Sequence, residues 1–564
     1  MNAPLIDSLQ IQNYRSIGQP ILIKFPSRGP LVLLGENNAG KSNITRALDL
    51  LFGERWPGTY QPEDHDFHGR NPDQVAIKIG ARPSGLMCPY CSYGDVSYIR
   101  WGFDKAEADE PQYSMTCTDC TRSFMKRELR EQLFCMFIGA DRNLNYQLSY
   151  SSKYTFLSKL MHRFHRALVN DETRRAKLTS IFSDILGEFG GVEEFNAFRR
   201  TLGSMTSELS GSLSYRLDID FSAYDPSNFF RSLRVYPHFG NDARTFDELG
   251  SGQAEILAMA FAYAYAEAFG RQSGLILVID EPESHLHPLA QQWLANKLNE
   301  LVTDGLQVVV ATHSPHFVDL ARPENLVLVH RDDASAPTTA RQVTRPKLVD
   351  ELKKLGAPAR ITTESVGDFY ASGATDEIRS GIFAKAAVLV EGPTEAYALP
   401  ELLRLVGFDP LRCGIAFVNV AGASSLAKWH RFYTIFGIPT YMVFDTDSDK
   451  HGSDAESCRR VRLDVMKALG YPDNRADEMA PNCLDIQERY ATLSPNFEGA
   501  IEALLGDRWT DLTAKAAEVI GSGSSKPLIA RYAAQHLDPH SLPTAAKEQL
   551  KALAERLSKM ALDT

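Results

Sequence analysis

Carboxylates stand directly after two apolar segments in the C-terminal third of the chain. In KAAVLVEGPTEAYALPELL, an apolar run ends in Glu391, and Glu395 opens a helical pattern. In PTYMVFDTDSDK, a second apolar run ends in Asp445 and Asp447, with Asp449 close behind. Clustered carboxylates repel one another unless a cation lies between them, and an oxygen-only ligand set favours Mg²⁺ or Mn²⁺. These residues therefore predict a divalent-metal site.

A second group of residues predicts a nucleotide site near the N-terminus. The apolar residues 31–34 run into GENNAGKS and then into a helical pattern. In such a P-loop, Lys41 reaches the β- and γ-phosphates and Ser42 ligates Mg²⁺. The later segment GLILVIDEPESHLHP ends a strand in Asp280, which can help hold Mg²⁺, and Glu281, which can polarise the attacking water. The predicted ATP-binding residues of these two segments are Gly35, Asn38, Gly40, Lys41, Ser42, Asn43 and Asp280.

Four of the eight cysteines form two C-x2-C pairs, Cys88 with Cys91 and Cys117 with Cys120. This spacing lets each pair wrap one side of a tetrahedral Zn²⁺, and four thiolates leave no open position for catalysis. The strand-like segments DVSYIRWGF and QYSMTC between the pairs are suited to a hairpin. We therefore expect a zinc ribbon over residues 85–123 with one structural Zn²⁺; a redox C-x-x-C and unrelated core thiols are the alternatives.

Composition limits the classes of protein and partner. Of 564 residues, 44% are hydrophobic and 23% charged, as in a soluble globular protein of several domains. The N-terminus has no charged segment followed by an apolar core, and the longest apolar run is shorter than the roughly 20 residues that span a bilayer. We therefore expect a cytoplasmic protein with no membrane partner. With a net charge of −11, DNA binding must use a local basic surface or metal-bridged phosphates.

The elements that position these residues follow from the order of apolar segments. From residue 386 onward, strands alternate with helices, which predicts a parallel sheet. If its first and third strands are neighbours, Glu391 meets Asp445 and Asp447 at one edge. Lys41 and Asp280 lie 239 residues apart, so the N-terminal domain must contain an insertion. Part of it, residues 145–215, has a helical pattern whose basic residues form a solvated face or a dimerisation or DNA-facing arm.

The order of motifs in the N-terminal part is P-loop, GSGQ, strand-Asp-Glu and strand-Thr-His. This order resembles the ATP-binding-cassette (ABC) ATPases, specifically the RecF- and SMC-like branch. The resemblance implies a homodimer or higher homo-oligomer with ATP between two heads, in which His313 senses the γ-phosphate. It also implies that the signature residues contact the γ-phosphate held by the other subunit; they are Ser251, Gly252 and Gln253.

The strand-Glu-Gly and strand-Asp-x-Asp pattern resembles the TOPRIM domain of topoisomerases, primases and certain nucleases, whose chemistry is metal-assisted phosphodiester displacement. Together with the ATPase motifs, VEGPTE resembles the OLD (overcoming lysogenization defect) nucleases, including the nuclease subunit of Gabija-type systems. That family implies a second metal at Glu395, a ligand at Glu498 in PNFEGAIE, and phosphate stabilisation by Lys526 in SSKPLIA. Two departures are the zinc ribbon and the SSK lead-in, which replaces a more glycine-rich one.

The resulting prediction is an α/β protein with an ABC-type ATPase head over residues 1–375 and a TOPRIM domain with a helical C-terminal part over residues 381–564. Its expected function is an ATP-regulated, Mg²⁺- or Mn²⁺-dependent DNA endonuclease in anti-phage defence or DNA repair. Two alternatives are a DNA-binding ATPase of the SMC or RecF type that does not cut, and the sensor subunit of a larger defence complex. A helicase or another defence-system subunit is a further partner that the resemblance leaves open.

Overall fold

We describe the chain from a computed structural model. It describes residues 4–138 apart from 54, 92 and 131, residues 274–562 apart from 285, 303–305, 334, 481–482 and 522–524, and scattered positions from 171 to 264. The predicted signature residues Ser251, Gly252 and Gln253 lie outside the described residues, as does most of the predicted arm. Two compact units are formed by Met1–Phe137 with Gly270–Thr564, and by Ile138–Phe269.

An antiparallel sheet and the P-loop helix begin the first unit. The elements are β1 (Leu5–Gln12), β2 (Ile21–Lys24), β3 (Leu31–Leu34), α1 (Lys41–Phe52), β4 (Ile77–Ser84), β5 (Val96–Phe103), β6 (Gln112–Cys117), α2 (Arg127–Arg130) and β7 (Leu133–Ile138). Five strands pair in the order β2-β1-β4-β5-β6. In the second unit, the structure describes the antiparallel pair β8 (His238–Phe239) and β9 (Asp242–Ala243).

A second sheet, mainly parallel, holds the nucleotide motifs. Its further elements are β10 (Gly274–Asp280), α3 (Pro288–Leu301), β11 (Leu306–Thr312), β12 (Leu326–His330) and β13 (Thr339–Gln342), and its order is β13-β12-β3-β11-β10-β7. β3, β10, β11 and β12 run parallel, and β11 is buried throughout, which explains its unbroken apolar sequence. Because β3 and β10 both flank β11, the P-loop, Asp280 and His313 meet at one edge.

The four cysteines lie at one end of the antiparallel sheet. β5 and β6 form an antiparallel hairpin, in which Val96 stands opposite Cys117. β5 also pairs with β4, and β4 with β1, so this hairpin continues the sheet of the ATPase head. The cysteine-bearing segment therefore lies at the end of that sheet, and the zinc ribbon over residues 85–123 stays a prediction.

The C-terminal sheet has the predicted parallel order. The elements are α4 (Arg345–Lys354), α5 (Val366–Ala371), α6 (Asp376–Gly381), β14 (Ala386–Val390), α7 (Pro393–Arg404), β15 (Ile415–Asn419), α8 (Ala423–Phe436), β16 (Thr440–Asp445), α9 (Gly452–Leu469), β17 (Leu484–Ile486), β18 (Tyr490–Leu493), α10 (Phe497–Leu505), α11 (Asp507–Ile520), α12 (Lys526–His536) and α13 (Thr544–Leu562). The order is β15-β14-β16-β18-β17, and the first and third strands of the unit are parallel neighbours, with Val390 opposite Val443.

The segment between the ATPase sheets and the C-terminal sheet is packed. Small and polar residues there suggest a hinge, but the structure forms α5 and α6, which bury Tyr370 and Ile378. The Tyr370 ring lies 4.7 Å from that of Phe432 in α8. Arg431, also in α8, donates from Nε to the carbonyl oxygen of Leu355 at 2.8 Å. Among the helices that the structure describes, none is both long and apolar enough to cross a membrane.

Candidate active sites

The P-loop lysine is held by its own loop and by the end of β11. Lys41 Nζ lies 2.9 Å from the Gly35 carbonyl oxygen and 3.1 Å from that of Glu36. It also lies 2.8 Å from Nε2 of His313, the predicted γ-phosphate sensor. Burial lowers the pKa of Lys41 to about 8, while burial and the Lys41 charge lower the pKa of His313. The two side chains thus share the position expected to face the β- and γ-phosphates.

The residues expected to hold Mg²⁺ are also together. Ser42 Oγ donates to Asp280 Oδ2 at 3.2 Å, and burial raises the pKa of Asp280. The next residue, Glu281, has a φ of 54° and places Oε1 3.9 Å from Nε2 of His313. A hydroxyl and a carboxylate oxygen are suitable Mg²⁺ ligands beside nucleotide phosphates, and Glu281 borders them as a water-polarising base would.

Contacts from distant parts of the chain shape the P-loop. Gly40 has a φ of 110°, and a Cβ there would lie 2.3 Å from Oγ1 of Thr338. Asn43 Nδ2 donates to Ser16 Oγ at 2.6 Å, and Ser16 Oγ lies 2.7 Å from Thr338 Oγ1. Asn38 also has a left-handed φ, of 65°. Ser16 and Thr338 are supporting residues that no sequence motif identifies.

The four cysteine thiols form a compact group. Sγ of Cys88 lies 3.7 Å from that of Cys120, and Sγ of Cys91 lies 3.6 Å from that of Cys117. Zn–S bonds of about 2.3 Å place the sulfurs of a tetrahedral site about 3.8 Å apart. Within the described part of the chain, this is the only group of three or more His, Cys, Asp or Glu side chains whose ligand atoms all lie within 4.8 Å of one another. Its size fits one zinc ion.

Glu391 and Asp445 meet at the carboxyl end of the C-terminal sheet. Glu391 Oε1 accepts a hydrogen bond from the Asp445 backbone N–H at 2.8 Å. Burial raises the pKa of Glu391 to about 7, and burial together with the neighbouring negative charges raises the pKa of Asp445 to about 9. Asp445 Oδ1 is buried without a hydrogen-bond partner. A buried carboxylate oxygen that lacks a donor is suited to a cation.

Glu395 and Asp447 border this pair. Glu395 is buried at the start of α7, where Oε2 accepts from the Gly392 backbone N–H at 3.0 Å. Asp447 has a φ of 50°, and its backbone N–H donates to the Pro495 carbonyl oxygen at 2.7 Å. The turn that carries Asp447 is therefore held by the segment that follows β18, the strand next to β16.

Glu498 borders the group: burial is the main cause that raises the pKa of Glu395 and of Asp445, and the Glu498 charge raises both further. Lys526 Nζ lies 3.3 Å from Glu498 Oε1, so the structure brings this predicted lysine to the carboxylates. Asp449 is exposed. The hydrogen bond to Asp447 raises the pKa of Lys450, and the Asp449 charge raises it further. We call the five converging carboxylates the acidic edge: Glu391, Glu395, Asp445, Asp447 and Glu498.

The acidic edge is wider than the cysteine group, since no three of its side chains place their oxygens within 4.8 Å of one another. Mg²⁺ in proteins commonly takes one or two carboxylates and keeps several waters. The spacing therefore fits hydrated ions held by pairs of carboxylates.

Comparison with known proteins finds two matching domain families in this chain. A family model described as an AAA ATPase domain matches residues 133–318. A model described as the TOPRIM domain of Overcoming lysogenization defect protein-like proteins matches residues 382–447. The chain joins an ATPase domain to an OLD-like TOPRIM domain. The predicted resemblance to the OLD family and the predicted α/β fold class are thereby confirmed.

Two relatives of this ATPase and OLD-like TOPRIM chain match over most of its length. An OLD nuclease from Thermus scotoductus is 25% identical over 538 residues, which are 92% of this chain and 95% of the relative. The Old nuclease of Escherichia phage P2 is 28% identical over 469 residues, 78% of this chain and 77% of the relative. A solved Smc head domain from Pyrococcus furiosus is 15% identical and covers 62% of this chain and 100% of its own, with a TM-score of 0.34.

Three side chains near these sites escape sequence reasoning. In the ATPase domain, Glu283 accepts hydrogen bonds from Thr312 Oγ1 at 2.7 Å and from the His313 backbone N–H at 2.6 Å. The sequence signal that could have identified Glu283 is its place as the second glutamate of DEPE. In the OLD-like TOPRIM domain, Lys450 Nζ lies 2.9 Å from Asp447 Oδ1, and Cys458 Sγ donates to Asp447 Oδ2 at 3.3 Å. Both orient Asp447, and neither belongs to a motif.

Proposed function

We propose that this protein is an ATP-regulated, divalent-metal-dependent DNA endonuclease that acts in anti-phage defence or DNA repair. The observation that carries the proposal is the buried, unpartnered Oδ1 of Asp445 beside Glu391, where two parallel strands end. The two relatives that are named OLD nuclease support the same activity.

Each acidic side chain has a proposed role. Glu391 and Asp445 hold one hydrated divalent ion, which Asp447 reaches through a bound water, while Glu395 and Glu498 serve a second; Asp449 stays a predicted ligand. Bound there, the metal supplies Lewis-acid polarisation of the phosphate and an activated oxygen nucleophile. Lys526 places a positive charge beside Glu498, where it offsets the negative charge that develops on the phosphate during displacement.

The ATPase domain supplies the regulation. Lys41, Ser42 and Asp280 bind Mg-ATP, Glu281 orients the attacking water, and His313 reads the γ-phosphate through its contact with Lys41. We propose that two heads of a homodimer enclose ATP, with Ser251, Gly252 and Gln253 completing the site of the other head. Cys88, Cys91, Cys117 and Cys120 hold a structural zinc ion.

A non-cleaving DNA clamp is the second reading, and the sensor subunit of a larger complex is the third. The acidic edge argues against the second, because burying Asp445 and Glu391 together costs free energy that a binding surface has no need to spend. The third leaves the same nuclease site in place and adds a partner, such as a helicase.

Plasmid cleavage tests the nuclease assignment. Supercoiled plasmid with Mg²⁺ or Mn²⁺ should be nicked or linearised by the wild-type protein. Glu391→Ala, or Asp445→Ala combined with Asp447→Ala, should reduce cleavage at least 100-fold while ATP binding stays unchanged, because the ATPase residues are untouched.

Glu555→Ala is the matched control, since Glu555 is an exposed carboxylate of the same domain, on α13. Its cleavage rate should equal that of the wild type. Undiminished cleavage by the acidic-edge variants would overturn the assignment and favour a contaminating nuclease or a non-cleaving clamp.

A further inference from the structure

A cavity of about 600 Å³ lies at the end of the C-terminal sheet opposite the acidic edge. Its wall includes Thr440, the first residue of β16, whereas Asp445 ends the same strand. At about 3.3 Å per residue, five strand steps separate the two positions by roughly 17 Å. None of the P-loop residues lines it. The cavity is therefore distinct from both the predicted nuclease site and the predicted ATP site.

Positive charge dominates the lining. Five cationic side chains and one carboxylate, that of Glu488, line the cavity in a protein whose net charge is −11. The cations come from four separate elements, namely α4, α9, α13 and the segment before β18. They are Lys354, Lys467, Arg489, Arg556 and Lys559. We call this space the basic cavity.

Most of this charge is not neutralised inside the protein. Lys354 pairs with Glu351 at 2.8 Å, and Lys467 lies 3.8 Å from an Asp473 oxygen. The other three cations have no ion-pair partner among the described residues; they are Arg489, Arg556 and Lys559. Convergent cations without counter-ions repel one another, and an anion between them removes that repulsion.

Hydrogen bonds within the protein hold two side chains of the wall in place, the neutral His430 and the cationic Arg489. His430 is 8% exposed, and its ring nitrogens contact Thr440 Oγ1 and, at 3.2 Å, the Ala468 carbonyl oxygen. Burial lowers the pKa of His430 to about 4, so its ring adds no charge at neutral pH. Arg489 is held by a 2.8 Å hydrogen bond from Nη1 to the Leu469 carbonyl oxygen. Apolar side chains complete the lining, among them Leu355, Ile438 and Met560.

We propose that the basic cavity binds a phosphate-bearing small molecule of nucleotide size. Its volume lies within the range of about 300–1,000 Å³ typical of small-molecule sites, and it combines apolar walls with a few charged groups, as such sites do. Lysine and arginine side chains are the usual partners of phosphate groups. A ligand of this class uses the cations for its phosphates and the apolar side chains for its base or sugar.

The position of the basic cavity gives such a ligand two domains to contact. Lys354 and Leu355 follow the ATPase sheets in the chain, whereas Thr440 and Lys559 belong to the TOPRIM part. A bound anion would therefore join the end of α4 to the C-terminal sheet and strengthen the junction already made by Arg431 and Leu355. It would stabilise the folded protein by an amount that grows with the logarithm of the ligand concentration above the dissociation constant.

Fluorescence anisotropy with N-methylanthraniloyl-ADP tests the proposal. The full-length protein carries Lys41→Ala, so that binding at the P-loop is removed. We expect saturable binding that is displaced by unlabelled ADP, and we expect Arg556→Ala combined with Lys559→Ala to weaken it at least tenfold. If pyrophosphate also displaces the probe, phosphate is the recognised group. If ADP displaces the probe and pyrophosphate does not, the nucleoside contributes as well.

The matched control is Lys547→Ala combined with Lys551→Ala. These lysines belong to the same helix, α13, outside the basic cavity; Lys551 is exposed and Lys547 is half-buried, and their loss removes the same charge. Circular dichroism should show the same melting temperature for both double variants. Equal affinity of the two double variants, or no binding to the Lys41→Ala protein, would overturn the proposal. Neither result depends on whether the protein cleaves DNA.

Discussion

Asp445, a predicted metal ligand, is a buried carboxyl group whose surroundings favour its protonated form. Burial and the negative charges of Glu391, Glu395 and Asp447 raise its pKa to about 9, so it holds a proton at neutral pH. Glu391, with a pKa of about 7, is partly protonated under the same conditions. Metal ligation requires the deprotonated forms, so a divalent cation must displace these protons.

Metal affinity is therefore expected to increase with pH. A group whose pKa is raised in the metal-free fold loses its proton only as the pH rises through that value, here about 7 for Glu391 and about 9 for Asp445. Titration calorimetry with Mn²⁺ at pH 6, 7.5 and 9 should show at least tenfold tighter binding at pH 9 than at pH 6. In buffers of different ionisation enthalpy at pH 7.5, about one proton should be released per bound ion.

Asp445→Asn is the informative variant for this titration, because the amide keeps the shape but has no proton to release. Its residual Mn²⁺ binding should be weaker and should depend less on pH. Affinity of the wild type that does not change from pH 6 to 9 would contradict the proton-linked site.

The sequence identifies these residues because they follow apolar strands, and parallel strands bring their carboxyl ends to one edge. It does not identify Ser16, Thr338 or Glu283, which support the nucleotide site across long distances in the chain. Glu498 and Lys526 come only from the resemblance to the OLD family. Their 3.3 Å contact depends on how α10 and α12 pack, which no local pattern specifies.

Among the elements, the end of the antiparallel sheet carries the four clustered thiols. The turn between β4 and β5 carries Cys88, whose N–H donates to the Gly94 carbonyl oxygen at 2.8 Å, and β6 ends at Cys117. A zinc ion bound to these thiols would link β4, β5 and β6 at one end. The spacing of the cysteines predicts the metal. It does not predict that β5 pairs with β4, because this pairing depends on which strand of the first sheet has an unpaired edge.

Zinc removal is expected to destabilise this end of the sheet. Cys88→Ser combined with Cys91→Ser should lower the zinc content from about one ion per chain to near zero. It should also lower the melting temperature by several degrees, because metal binding contributes folding free energy. Elemental analysis and thermal melting measure both effects.

Cys413→Ser combined with Cys483→Ser is the control, since these partly buried cysteines lie outside the cluster. It should leave the zinc content unchanged. Wild-type protein that contains no zinc when freshly purified would contradict the site.

For the whole molecule, the P-loop and the C-terminal sheet are close neighbours. Gly35 and Glu36 line a cavity of about 230 Å³ together with Lys385, which precedes β14, and Gly437, which follows α8. A Cβ at Gly437 would lie 2.8 Å from Arg341 Nη1, so the two domains approach closely here. The contact lies at the end of the C-terminal sheet opposite the acidic edge, because Lys385 precedes β14 and Glu391 follows it. An effect of phosphate at the P-loop on the predicted nuclease site would therefore have to pass along the sheet. No sequence motif indicates this approach, and the predicted boundary between the two domains stays a prediction.

ATP is therefore expected to change the rate of DNA cleavage without being consumed in proportion to it. Closure of two heads on ATP and their release after hydrolysis would form the two states that regulation requires. Glu281→Gln should bind ATP but hydrolyse it at least 100-fold more slowly, and should hold cleavage at its ATP-bound rate. Plasmid cleavage across ATP concentrations measures this.

Lys41→Ala is the companion variant, because it should hold cleavage at the rate without nucleotide. Identical rates for the wild type and both variants at every ATP concentration would show that the two sites are uncoupled.

DNA that approaches the acidic edge would meet five carboxylates and only two lysines, Lys450 and Lys526, each of which already pairs with one of those carboxylates. A basic protein surface gains affinity by releasing the cations condensed on DNA, so added salt weakens its complexes. Around Asp445, Glu391 and Asp447 we expect the opposite effect of cations. DNA phosphates can bind beside these carboxylates only if divalent cations bind with them. DNA affinity should therefore rise with Mg²⁺ concentration, and the slope of that rise counts the ions that enter with each strand.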